Sequence, residues 1–146
     1  MKVYFASDHA GYEMKNALIE YVRSLGYEVK DIGPYEYNPN DDYPMTINPL
    51  AEIISKETNS FGIILGGSGQ GEAMVANRHE GVRAIEYYGE NKEIISLGRE
   101  HNNANVLSLA ARFISIDEAK EVVKLFLTTP FSEDERHIRR INEIDK

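Results

Sequence analysis

Between Phe61 and Arg78 the chain reads FGIILGGSGQGEAMVANR: an apolar run, four glycines within six residues (Gly66, Gly67, Gly69 and Gly71), then a helix-like segment opening at Glu72. Glycines at this density let the backbone take positive φ and approach a ligand closely, and amides left free where a helix begins favour negative charge. Such a loop suits an anion, or a transition state that becomes one. Gly66 and Gly71 have the spacing of a P-loop, but Glu72 and Ala73 stand where Lys and Ser/Thr are required, and a carboxylate there would repel a nucleoside triphosphate. Gly67, Gly69 and Gly71 form G-x-G-x-G and not the dinucleotide fingerprint G-x-G-x-x-G, and no distinctive ribose-binding acid follows them. What remains is an acid beside a cradle of N–H groups. That pairing fits proton abstraction next to a carbonyl, with Glu72 taking the proton and the loop holding the enediolate oxygen. A plain strand-to-helix turn, in which Glu72 only complements the helix dipole, accounts for the same residues equally well.

Three further groups have the residue types for chemistry. Ser7-Asp8-His9-Ala10-Gly11 ends the first apolar run with polar side chains. Arg99 to Asn105, REHNNAN, places His101 and Asn102 just before another apolar run; a histidine there can exchange a proton near neutral pH, or can simply cap a helix. Arg136, His137, Arg139 and Arg140 form a basic cluster near the C-terminus, and Arg136 and Arg140, four apart on a helix, can clamp a phosphate or pair with neighbouring glutamates. Arg112, just past the strand over 106–110, can reach the same rim or simply be solvated.

The elements that must position these groups follow from pattern. Lys2–Ser7 predicts a buried strand; Met14, Leu18, Tyr21, Val22 and Leu25 form one helical face closed by Gly26; and residues 27–32 return to strand. A polar loop, 33–43, leads through Tyr43-Pro44 into a helix to about Thr58. Then come the strand before the glycine loop, a helix over about 72–79, a strand over 82–87, and a helix over 90–101 with Ile94, Leu97 and Ile95 as its inward positions. A strand over 106–110 follows, then a helix with a Ser115 to Glu118 capping box, and a last helix to about Ile144 capped from Ser132. Alternating strands and helices predict an α/β three-layer αβα sandwich, Rossmann-like, with a five-stranded parallel sheet in one domain spanning 1–146. In an order beginning 2-1-3, the ends of strands 1 and 3 are neighbours, which brings Asp8-His9 beside Gly66–Glu72.

Composition narrows the partners. With 146 residues and 42% hydrophobic content there is one sizeable core. Sixteen basic against twenty-four acidic residues, net charge −8, argues against nucleic acid or an anionic membrane as partner. The absence of cysteine excludes disulfides, thiolate metal sites and a cysteine nucleophile. The first apolar run is too short for a signal peptide or a membrane span, so a cytoplasmic protein is expected.

Taken together, SDHAG (Ser7 to Gly11), DYP (Asp42 to Pro44), GGSGQGE with its following AN (Gly66 to Asn77), REHNNAN, Arg112, TTPF (Thr128 to Phe131) and RHIRRI (Arg136 to Ile141) resemble the type B ribose-5-phosphate isomerase family, which includes allose- and galactose-6-phosphate isomerases. One subgroup of that family has a cysteine base at the first loop position; Gly66 and Glu72 match the other, which has a glutamate at the loop's end. The resemblance implies that Glu72 shuttles the proton between C2 and C1 while Ser68 and the amides of Gly67, Gly69 and Gly71 hold a cis-enediolate. It implies that His101 opens the sugar ring, that Asp8, Tyr43 and Asn102 grip ring and hydroxyls, and that His9, Arg112, Arg136 and Arg140 hold the phosphate. It further implies a homodimer or tetramer with shared sites, in which the C-terminal helix, about 132–144, serves a neighbouring subunit. Neither metal nor organic cofactor is expected, since the substrate carbonyl itself acidifies the C2 proton. Met45, where the family usually has an acid, and the atypical segment 87–98 bear on substrate length. The competing readings are a six-carbon aldose 6-phosphate substrate and a non-catalytic sugar-phosphate or flavin-binding module.

Overall fold

The computed structural model describes residues 1–146. Five strands, β1 (Lys2–Ser7), β2 (Glu28–Gly33), β3 (Ser60–Gly66), β4 (Ala84–Tyr87) and β5 (Val106–Ala110), form one sheet in the order β2-β1-β3-β5-β4, every pairing parallel. The connecting helices are α1 (Tyr12–Ser24), α2 (Pro44–Lys56), α3 (Gln70–Ala76), α4 (Glu93–Asn102) and α5 (Ile116–Thr128), followed by α6 (Glu135–Ile141). This is the three-layer arrangement that the alternation predicts, and its winding reverses between β1 and β3.

Alternation along each strand sorts the core into two layers. Val3, Phe5, Ile63, Leu65, Leu107 and Leu109 pack with Leu18, Val22, Ile95, Val122 and Phe126 of α1, α4 and α5. Tyr4, Ala6, Ile64 and Val106 pack with Ile47, Leu50, Ile54 and Ala76 of α2 and α3. β3 and β5 are buried throughout because both faces are covered, whereas the edge strands β2 and β4 carry half-exposed residues. Each fully buried Leu, Val or Phe contributes about 1.5–3 kcal/mol, so these layers anchor the strand ends.

Two local expectations are corrected. In α4, Ile94 faces outward at 55% exposure while Ile95 is fully buried; the helix begins at Glu93, a turn later than the pattern predicts, which rotates the inward face. The cap of α6 is Asp134, which accepts from the Arg136 amide at 3.0 Å, and not Ser132, because Glu133 takes a φ of 60° and interrupts the helical path. The Ser115 cap is observed, its Oγ accepting from the Glu118 amide at 3.1 Å.

Candidate active site

The carboxyl end of β1 is tied directly to that of β3. The Asp8 amide donates to the Leu65 carbonyl at 3.1 Å, and the Asp8 carboxylate accepts from the Gly11 amide at 3.1 Å, closing a single 3-10 turn over His9–Gly11. That turn lies so close to β3 that a Cβ on Gly11 would come within 2.6 Å of the Leu65 side chain. Asp8 is thereby presented beside the glycine loop. His9 is fixed by Asp41, whose Oδ1 is 2.8 Å from Nδ1 and 3.3 Å from the His9 amide.

In the loop, Gly69 adopts φ 76°, the left-handed conformation that starts α3. The amides of Gly67, Ser68, Gly69 and Gly71 donate to no backbone carbonyl, which leaves several donors unpaired at the carboxyl end of β3. Glu72, only 3% exposed, folds its carboxylate back over Gly66, and a Cβ added at Gly66 would overlap that carboxylate. A residue with a side chain at position 66 and the Glu72 carboxylate therefore compete for one space. Burial pushes the Glu72 carboxyl up to about 7; hydrogen bonding from its own amide works against this, and the Asp8 and Glu86 carboxylates add to it.

Two more side chains frame the loop. The Tyr43 ring lies on Gly71, its Cζ 2.7 Å from where a Cβ would stand, and Thr46 Oγ donates to the Ser7 carbonyl at 2.8 Å to hold the start of α2 against β1. The Arg112 guanidinium lies over Gly67, and the Ala111 and Arg112 amides donate to the Gly66 and Gly67 carbonyls at 2.8 and 3.1 Å. The carboxyl end of the sheet thus gathers Asp8, His9, Tyr43, the loop with Ser68, Glu72 and Arg112.

His101, Asn102, Arg136 and Arg140 are elsewhere. His101 and Asn102 end α4, which runs back to the amino ends of the strands, where the Asn105 carbonyl accepts from the Gly62 amide at 2.9 Å. The seven residues of β3 put about 20 Å between the two ends of the sheet. His101 stacks on His137 of α6, ring centroids 4.4 Å apart and 18° from parallel, with Arg136 and Arg140 exposed on the same helix. Burial first, then His101, Arg136 and Arg140, hold the His137 imidazole below its ordinary pKa. Within one chain the sequence-predicted residues form two separate groups at opposite ends of the sheet.

The largest cavity, about 810 Å³, also lies at the amino ends and is lined by Arg83 and Arg99. These two guanidiniums are engaged by carbonyls: Arg99 donates to Thr129 and Ala104, Arg83 to Asn102, Asn103 and Gly81. They cap α4 and hold its terminus to the sheet. No group of three or more His, Asp or Glu is arranged to hold a metal ion. Two residues of the catalytic end escape a reading of sequence alone. Asp41 is marked only by an acidic pair before Tyr43, and Glu86 only by being an acid inside an otherwise apolar strand.

Comparison with known proteins agrees with this architecture. The family model described as Ribose/Galactose Isomerase matches residues 3–144. The chain is 40% identical to ribose-5-phosphate isomerase B of Mycobacterium tuberculosis over 142 residues, covering 97% of this chain and 86% of that one. Among solved structures it superimposes on ribose-5-phosphate isomerase B of Mycoplasma genitalium with bound ribulose-5-phosphate at a TM-score of 0.92 and 35% identity, covering 98% and 93% of the two chains. The Thermotoga maritima enzyme superimposes at 0.89 with 41% identity, covering 99% and 97%. A family match over nearly the whole chain, together with a relative 40% identical across 97% of it, makes the protein a member of the ribose/galactose isomerase family.

Proposed function

We propose that the protein interconverts ribose 5-phosphate and ribulose 5-phosphate, with Glu72 as the base. The observation that carries this is the buried Glu72 carboxylate seated over Gly66 beside free loop amides, in a chain whose relatives bear that activity in their names. In the open-chain aldose, Glu72 takes the C2 proton, the C2–H electron pair forms the C1–C2 double bond, and the carbonyl pair moves onto O1. The loop amides and Ser68 stabilise the resulting cis-enediolate. Return of the proton from Glu72 to C1, with transfer of the O2 proton to O1, leaves the ketose. A base whose pKa is about 7 suits both halves of this cycle, because it is half ionised near neutrality and gives its proton back readily.

The phosphate end and the ring-opening step call on the second half-site. In the proposed homodimer, His101, Asn102, Arg136 and Arg140 of one copy complete the cleft formed by Asp8, His9, Tyr43, Glu72 and Arg112 of the other. The exposure of both arginines and their separation from Glu72 by the length of the sheet support this reading. A phosphorylated sugar is too highly charged to cross a bilayer unaided, which supports a cytoplasmic reaction. No helix is long and apolar enough to cross a membrane.

The deciding experiment follows ribose 5-phosphate by NMR in D₂O with the protein and, in parallel, with Glu72→Gln. Ribulose 5-phosphate carrying deuterium at carbon, abolished in the variant, is the expected result. Turnover that survives Glu72→Gln would remove the assignment of the base. No turnover of the five-carbon sugar, with turnover of allose or galactose 6-phosphate, would reassign the substrate.

A further inference from the structure

Glu86 is the acid of the catalytic end to which the reaction described above assigns no role. It lies on β4 in register with Ser108 of β5, on the sheet face that carries α3. Its Oε2 is shut off from solvent and has no hydrogen-bond partner. That oxygen stands 2.9 Å from where a Cβ on Gly69 would be, and Ser108 Oγ, at the same distance, donates to the Gly69 carbonyl at 2.6 Å. The left-handed turn at Gly69 therefore rests on Ser108 and Glu86. Glu72 follows three residues later and folds back over Gly66, so the two carboxylates flank one short loop from two sides.

A carboxyl oxygen that is shut off from water and lacks a donor opposes folding. We propose that Glu86 is a positioning residue for the base: packed with Ser108 beneath the Gly69 turn, its carboxylate sets the charge from which the loop carrying Glu72 is presented to the substrate. This rests on the reading of Glu72 as the base. Burial raises the Glu86 carboxyl, and Glu86 is among the charges that raise Glu72, after burial and Asp8. The charged groups facing Glu72 are Asp8 after β1 and Glu86 from β4, while Tyr43 against Gly71 and Arg112 against Gly67 flank its loop. Around Glu86, the turn after α3 contributes Arg78, the segment after β4 Tyr88 and Glu90, and the start of α4 Glu93, while β5 offers the uncharged Ser108.

The test is a carboxyl ¹³C NMR titration of Glu72 in the full chain, its signal assigned by its absence in Glu72→Gln, compared among wild type, Glu86→Gln, Glu86→Leu and Glu86→Asp. Loss of the charge in Gln and Leu is expected to lower the Glu72 midpoint by about half a pH unit, about a threefold rise in ionised base on the acid side. The acid limb of kcat/KM should move with it, and Glu86→Asp, which keeps the charge, should stay near wild type. Leu, which replaces an unpartnered buried carboxyl, supplies a folded variant if Gln does not. An unchanged midpoint in folded Glu86→Gln or Glu86→Leu overturns the proposal, as does an equal shift in Glu86→Asp, which would mean loop distortion. Because the titration reads Glu72 without turnover, a shift in a protein inactive on ribose 5-phosphate would sustain the coupling and sink only the isomerase reading.

Discussion

Glu72 is held where ionising it is costly, and this has consequences for stability as well as for rate. A carboxyl with a folded pKa of about 7 against an ordinary 4.5 binds its proton more tightly folded than unfolded. Between those two pH values the folded state carries more protons, so its stability falls as pH rises; the loss is complete above about pH 7 and absent below about pH 4.5. Glu72→Gln removes this dependence. In urea unfolding at pH 5 and pH 8, the variant is expected to gain on wild type by about 2 kcal/mol between the two conditions. A constant difference would show that Glu72 titrates normally. The same substitution should lower kcat by about 10³-fold, the range of a lost general base, with the circular dichroism spectrum unchanged. In wild type, kcat/KM should fall tenfold per pH unit below about 7 as the base becomes protonated.

At the level of elements, close approach decides two glycines for different reasons. At Gly66 the end of β3 must leave room for the carboxylate that α3 returns to it, so Gly66→Ala should displace Glu72 and reduce kcat at least 10²-fold, with far less effect on stability. Steady-state kinetics beside thermal melting would check this, and an active Gly66→Ala enzyme would contradict the seating of Glu72. At Gly98, which is buried in the middle of α4, a Cβ would come within 2.5 Å of Ile85 on β4. Helix propensity alone gives Gly98→Ala a gain of about 1 kcal/mol, but pushing α4 off the edge strand should outweigh it, for a net loss of about 1–2 kcal/mol in urea unfolding. A more stable Gly98→Ala protein would mean that α4 shifts freely on β4.

The whole molecule poses the question of why one chain carries its predicted site in two places. A parallel sheet puts every residue that follows a strand at one end and every residue that precedes a strand at the other. Asp8, the glycine loop and Arg112 follow β1, β3 and β5, while His101 and Asn102 precede β5, and α6 packs beside them. No rearrangement short of unfolding unites them in one chain; in the proposed homodimer, two copies related by a two-fold axis would do so twice. Chains carrying Glu72→Gln and chains carrying Arg140→Ala should each be inactive alone, yet a verified mixed dimer should recover about half the wild-type activity, because one of its two sites is then intact. Mixed dimers without activity would argue that each chain completes its own site.

Much of this protein was legible before folding was considered. The three-layer class, the 2-1-3 beginning of the sheet and the neighbourhood of Asp8 with the glycine loop follow from local patterns and from the rules of parallel sheets, which need only the order of elements. Glu72 and its loop are a single stretch of seven residues, so their partnership is set by chain connectivity. The stagger of α4 that buries Ile95 in place of Ile94, and the cap at Asp134, were decided by tertiary contacts, since a shift of one residue changes little in intrinsic propensity and much in packing. Glu86 became part of the site only through pairing: it is fourteen residues from Glu72 along the chain, and the register of β4 on β5 brings it beneath Gly69. Residue types and their local spacing determined the chemistry that this chain can offer. Which end of the sheet each residue reaches, and what then shares its buried space, was decided only when the strands aligned, because long-range electrostatics and close packing depend on distances that sequence separation does not encode.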